Sequence, residues 1–212
     1  MLHSAPPFGT ARKPCERRPK KACKTLQRKE VREPKPLRSS LFPEGLPNLG
    51  KIDAKRVETS NNIYRNIAKL TEIVIEAGGY VCIDNPLRSY LWETKWFLRL
   101  QKKFGLFAVN FQQCMQGGKR DKWSTFYTNA EWLRCLALSC DGSHSHAPWG
   151  VTLEGGRHRF STSEEAEYPS LLCSRYSDAT LQAALACKVQ QCPINATWLQ
   201  QVDNLGATGA QN

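Results

Sequence analysis

No run of apolar residues in this 212-residue chain approaches the roughly 20 that a membrane-spanning helix needs, so no helical span is expected. The opening Met1-Leu-His-Ser-Ala-Pro-Pro7 lacks the apolar stretch of a secretory leader, and an intracellular setting is expected. No internal period recurs, which excludes solenoids and fibres. Glycine is scarce at the start, where Gly9 is the only one before residue 45. Acidic residues are too few to balance the basic ones, 19 against 30, for a net charge of +11. That excess is local. Residues 1–40 hold 12 Lys and Arg against 3 Asp and Glu, whereas residues 41–212 hold 18 against 16. The basicity therefore belongs to an arm on a nearly neutral body.

What is present is enough to fold. Hydrophobic residues make up 41% of the chain and aromatics 9%, which suits one globular domain with a tail. The nine cysteines are odd in number and scattered, at 15, 23, 82, 114, 135, 140, 173, 187 and 192. Without a leader they read as reduced thiols, and Asn195-Ala-Thr197 reads as a chance glycosylation match.

Residues 1–22, rich in Pro, Lys and Arg, are expected to be a disordered basic arm. Residues 23–54 are punctuated by Pro34, Pro36, Pro43 and Pro47 and should be irregular, with the apolar stretch Leu41–Leu49 lying across the body. The body proper spans 55–187, and 188–212 looks frayed. Ile63, Ile67, Leu70, Val74 and Ala77 predict a helix over 55–77, capped by Asp53 and stopped by Gly78. Tyr80-Val-Cys-Ile83 reads as a buried strand of a parallel sheet, ended by Asp84-Asn-Pro86. A helix over 88–103 carries Leu91, Trp92, Trp96, Phe97 and Leu100 and stops at Gly105, with the tryptophans read as core. Strands at 107–111 and 124–128 flank the basic turn Gly117-Gly-Lys-Arg-Asp-Lys122 and should form an antiparallel hairpin in the same sheet. Thr128 can cap a helix through Leu138, Thr162-Ser-Glu-Glu165 has capping-box spacing, and Pro169 can open a helix to about Ala186. The alternation argues for an α/β layer with three or more strands and flanking helices.

Three segments, in order, carry a resemblance: Cys23-Lys-Thr-Leu-Gln-Arg28, Tyr80-Val-Cys-Ile-Asp-Asn-Pro-Leu-Arg-Ser-Tyr-Leu-Trp92, and Phe111-Gln-Gln-Cys-Met-Gln-Gly-Gly-Lys-Arg-Asp-Lys-Trp-Ser-Thr125. Together they are similar to the C-terminal portion of S-adenosylmethionine-dependent cytosine DNA methyltransferases, in the divergent form carried by some eukaryotic retroelements. The resemblance covers about residues 22–176 and implies an incomplete Rossmann-like sheet. It implies Cys23 as the thiolate that adds to a flipped-out cytosine, with Pro14-Cys15 as a literal alternative. Asp84, Asn85 and Pro86 would be the acidic strand end that stabilises charge on the ring, and Lys119, Arg120 and Lys122 the phosphate contacts. The family's Gly-rich cofactor loop has no counterpart between Met1 and Cys23, so this chain is expected to lack the cofactor-binding half.

Two readings of function follow. In one, the chain is a truncated, catalytically silent methyltransferase-like protein of mobile-element origin. In the other, it is a module that binds DNA or RNA nonspecifically through the 117–122 hairpin and an arm that includes Arg17, Arg18, Lys20 and Lys21, residues that also suit nuclear import. A live methyltransferase would need a cofactor half from elsewhere. For the hairpin cations, a solvated tip is the alternative to phosphate contact. Separately, Cys140, His144 and His146, around Gly142, have the chemistry of a zinc site, with Cys135 as candidate fourth ligand and a plain polar loop as the alternative. Calorimetric titration with S-adenosylmethionine is expected to show no binding; micromolar affinity abolished by Asp84→Ala would overturn this.

Overall fold

The computed structural model describes residues 1–11, 36–154, 157–161 and 165–189. It is an α/β fold built on a four-stranded mixed sheet, with a separate two-stranded hairpin. Strand β1 (Leu2–Ser4) is followed by helix α1 (Lys51–Glu76), β2 (Val81–Pro86), a short 3-10 helix (Tyr90–Glu93) and α2 (Lys95–Phe104). Strand β3 (Phe107–Gln112) leads through a 3-10 turn (Gln113–Gln116) to β4 (Trp123–Thr128) and another 3-10 segment (Glu131–Leu136). The hairpin β5 (Val151–Glu154) and β6 (Arg157–Phe160) and helix α3 (Ser170–Val189) complete the described chain.

The sheet order is β1-β2-β4-β3. Strand β1 is parallel to β2, while β4 runs antiparallel to both β2 and β3. The hairpin around residues 117–122 forms as the turn chemistry predicts, and β4 thereby enters between β2 and β3. The sheet is therefore mixed, as the expected hairpin requires, and the strand read as part of a parallel sheet has a parallel neighbour, β1, on one side only. The continuous apolar run of β2 reflects cover on both faces, not parallel neighbours. Val81 and Ile83 pack with Tyr64 of α1 and with Phe97 and Leu100 of α2. Cys82, on the opposite face, packs with Val109, Phe111, Phe126, Leu133, Leu136 and Leu172 of α3.

The boundaries moved for identifiable reasons. Residues 1–11, expected within a disordered arm, are built into the sheet side. Leu2 pairs with Val81, Pro6 O accepts from Asn85 Nδ2 at 3.0 Å, Pro7 O accepts from the Tyr64 hydroxyl at 2.7 Å, and Ala11 O accepts from Tyr90 N at 2.9 Å. Main-chain polar groups can be satisfied this way by a segment with little to bury. Segment 36–50 does lie on α1, but Leu41 and Phe42 are exposed. Buried Arg38 holds it instead, donating to Pro43 O, Asn61 Oδ1 and Thr10 Oγ1 at 2.7, 2.9 and 3.1 Å.

Helix α1 starts at Lys51 after Gly50, and Asp53 sits in its first turn, bonded to Arg56, instead of capping it. Its buried face runs through Val57, Asn61, Tyr64 and Thr71, so Leu70 and Ala77 face solvent. Gly78, at φ +77°, closes the helix: its N–H donates to Ile75 O and that of Gly79 to Val74 O, the double bond of a Schellman end. The predicted 88–103 helix is broken at Thr94, whose hydroxyl bonds Leu91 O at 2.7 Å in competition with the helix ladder. The Asp84-Asn-Pro86 segment continues β2 instead of ending it, since β1 stops opposite Ile83 and leaves Pro86 without a neighbour on that side. Thr128 spends its hydroxyl on Val81 O and Ala130 N, and 3-10 turns replace the helix expected there. The Thr162–Glu165 box lies largely outside the described residues, as does the C-terminal tail beyond 189. Leu133 is fully buried beneath α3, and Leu133→Ala should cost about 2–5 kcal/mol in urea unfolding.

Candidate functional site

Four potential soft-metal ligands converge at the end of β3. Cys114 lies in the 3-10 turn that follows the strand, and Cys140, His144 and His146 lie in the loop after Leu136. Their ligand atoms all fall within 4.8 Å of one another. Cys140 Sγ is 3.8 Å from His144 Nε2 and 3.5 Å from His146 Nε2. Around a tetrahedral zinc, with bonds of roughly 2.0–2.3 Å, neighbouring donors sit about 3.5 Å apart. The group could hold a metal.

The loop is shaped for this. The Cys140 N–H donates to Gln112 Oε1 at 2.7 Å, and Gln112 N–H donates to Leu138 O at 2.9 Å, fastening the loop to the strand that leads to Cys114. Gly142, at φ +77°, turns its N–H onto Cys140 Sγ at 3.3 Å. Burial and the adjacent Cys140 push the Cys114 thiol up to about 11, because two close thiolates repel without a cation between them. Cys135, the expected fourth ligand, is exposed and outside the group; the fourth potential ligand is Cys114. Its distance of 26 positions from Cys140 concealed it, since the bonds of Gln112 to Leu138 and Cys140 bring the two together.

Asp84 sits in β2 on the same face as Cys82. Its Oδ2 accepts from the Tyr168 hydroxyl at 2.8 Å, while Oδ1 is buried without a hydrogen-bond partner. Burial pushes the carboxyl up to about 6, against the opposing pull of the Tyr168 bond and the Lys122 charge. His3, opposite Cys82 on β1, contacts Tyr168 Oη through Nε2 at 3.1 Å and Tyr176 Oη through Nδ1 at 3.3 Å. Tyr168 has one proton and gives it to Asp84, so it accepts from His3 Nε2–H. Tyr168 and Tyr176 therefore cover the acidic group that the sequence singles out. Asn85 points to the other side, toward Pro6 O, and Pro86 accepts from the Trp92 indole at 3.0 Å. The three residues do not form one cluster.

The hairpin cations also differ from expectation. Arg120 is only 4% exposed and pairs with Glu165 at 2.9 Å, so it is an internal ion-pair partner, not a phosphate contact. Lys122 donates to Glu165 O at 2.6 Å and lies over Phe8. With its amide oriented to donate to Glu165 Oε2 at 2.9 Å, Gln113 completes the ring of bonds around that carboxylate. Lys119 alone of the three is exposed. Cys15, Cys23, Arg17, Arg18, Lys20 and Lys21 lie outside the described residues. No helix among the described residues is long and apolar enough to cross a membrane.

Two outcomes follow from these burials. Arg120→Ala strands the Glu165 carboxylate and should cost about 3–5 kcal/mol in chemical denaturation. Asp84 has a folded-state value near 6, above its ordinary 3.8, so its favourable contribution is complete in acid and is lost as pH rises through 6. Asp84→Asn should therefore gain stability relative to the parent by about 1 kcal/mol between pH 5 and pH 8, read from paired urea titrations. Compared with known proteins, the chain matches no protein family, no curated protein and no solved structure.

Proposed function

We propose that this chain is a zinc-binding α/β module in which the metal is structural, and that the chain by itself is not an enzyme. The observation that carries this reading is the convergence of Cys114, Cys140, His144 and His146, two thiols and two imidazoles within 4.8 Å. Sulfur and nitrogen donors in this number suit zinc over hard cations, which take oxygen. Four protein ligands fill a tetrahedral shell and leave no position for water or substrate, which is the mark of a structural site. Protein purified without chelator should carry one equivalent of zinc by elemental analysis. His144→Ala with His146→Ala should remove it; a metal-free parent protein would refute the reading. Acid should release the metal as the ligands protonate.

A second reading concerns what the module serves. We infer a catalytically silent, methyltransferase-like protein of mobile-element origin that binds DNA or RNA nonspecifically. Silence is supported by Tyr168, which occupies the carboxylate that a flipped base would need. Nucleic-acid binding is supported by residues 12–35, with 11 Lys and Arg against 3 Asp and Glu, and not by Arg120 or Lys122. Binding to duplex DNA should fall at least about tenfold between roughly 50 and 200 mM salt. Replacing the basic residues of 12–35 with Gln should abolish it while leaving the zinc content unchanged. Binding that survives that replacement would exclude the arm.

A further inference from the structure

We propose that the metal centre is a latch that holds the C-terminal cover, residues 165–176, over Asp84 and Cys82. The inference rests on the zinc reading above and concerns what the metal controls.

Two continuous routes of contact join the ligands to the cover. The first starts at Cys114. The next two residues, Met115 and Gln116, offer a backbone carbonyl and a side-chain oxygen to Arg175 of α3, both accepting from Nη1 at 2.9 Å. The turn that carries one ligand is thus the seat of the helix that carries Tyr176. The second route starts at His146. The next residue, Ala147, donates to Lys119 O at 2.8 Å, Pro148 O accepts from Arg120 Nε at 3.2 Å, and the Trp149 indole donates to Asp121 Oδ1 at 2.8 Å. Gly150 then exchanges hydrogen bonds with Ser161, at 2.7 Å from its N–H to Ser161 Oγ and 3.0 Å from Ser161 N–H to its carbonyl. Ser161 O accepts from Glu165 N, and Glu165 closes the circuit on Arg120. Three residues later Tyr168 meets Asp84.

The cover seals chemistry that is otherwise unused. Cys82 is fully buried beneath it, and burial pushes its thiol far above the ordinary range. Asp84 Oδ1 has no partner there. Without the metal, the ligand loop keeps three hydrogen bonds to the sheet side: Leu138 O with Gln112 N–H, the Cys140 N–H with Gln112 Oε1 and the Ala147 N–H with Lys119 O. The loop of short polar residues between them then regains its conformational freedom. Both routes loosen together, because one ion joins them. Metal loss would open the cover and present a thiol and a carboxyl on the face of β2.

The test uses the full chain and the buried thiol as reporter. Labelling with a maleimide, followed by peptide mass mapping, compares Cys82 with exposed Cys135 in zinc-loaded and chelator-treated protein. Cys82 should be protected with zinc and should label at least tenfold faster without it, while the amides of β3 and β4 keep their hydrogen-exchange protection. Zinc-loaded Arg175→Ala should also label faster at Cys82 with its zinc content unchanged. Protein that binds zinc but whose Cys82 stays protected after chelation overturns the latch and leaves the zinc reading intact. Protein without zinc overturns both. If chelation unfolds the whole sheet, the Arg175→Ala variant decides, and no acceleration there overturns the latch.

Discussion

The ion pair between Arg120 and Glu165 is buried on both sides, and it anchors the segment that leads into the cover over Cys82 and Asp84. Two charges withdrawn from water are tolerated only when their remaining hydrogen-bonding capacity is met. Here Glu165 receives Arg120 and the Gln113 amide on its carboxylate and Lys122 on its carbonyl, while Arg120 also reaches Pro148 O and the Trp149 ring. The pair ties the turn between β3 and β4 to a segment some 45 positions later. From that anchor the chain runs directly into Tyr168, Pro169 and α3, so cover for the second face of β2 begins at this point.

That cover is needed because Val81 and Ile83 on one face of β2 and Cys82 on the other are all buried. On one side α1 and α2 bury Val81 and Ile83 through Tyr64, Phe97 and Leu100. On the other, Cys82 and Asp84 lie beside Phe126 of β4 and under Tyr168 and Tyr176. A carboxylate in that setting is raised by desolvation and held by a single tyrosine hydroxyl. The arrangement suits a sealed polar group more than an open acid poised for a substrate. The same strand therefore carries the acidic segment that the sequence singles out and the packing that closes it off.

The Cys/His group stands at the junction of these two systems. Cys114 belongs to the turn that seats Arg175, and His146 to the loop that runs into Pro148 and Arg120. A metal held there would be worth more than its local bonds, since it would join a strand end, a loop and a helix that otherwise meet through a few hydrogen bonds.

Local pattern was enough for much of this molecule. Strands at 81–86, 107–112 and 123–128, the hairpin between the last two, helix α1 and the stop at Gly105 follow from apolar spacing and turn residues, because those features act within a few positions. The same holds for Cys140, His144 and His146, which lie close together in the chain. What escaped were relations across long separations. The β1 strap, the insertion of β4 between β2 and β3, the capture of Arg120 by Glu165 and the choice of Cys114 over Cys135 each depend on which surfaces meet. Spacing along an element sets which side chains share a face. Only the closing of the core, with every buried charge and backbone group finding its partner, decides what that face will touch.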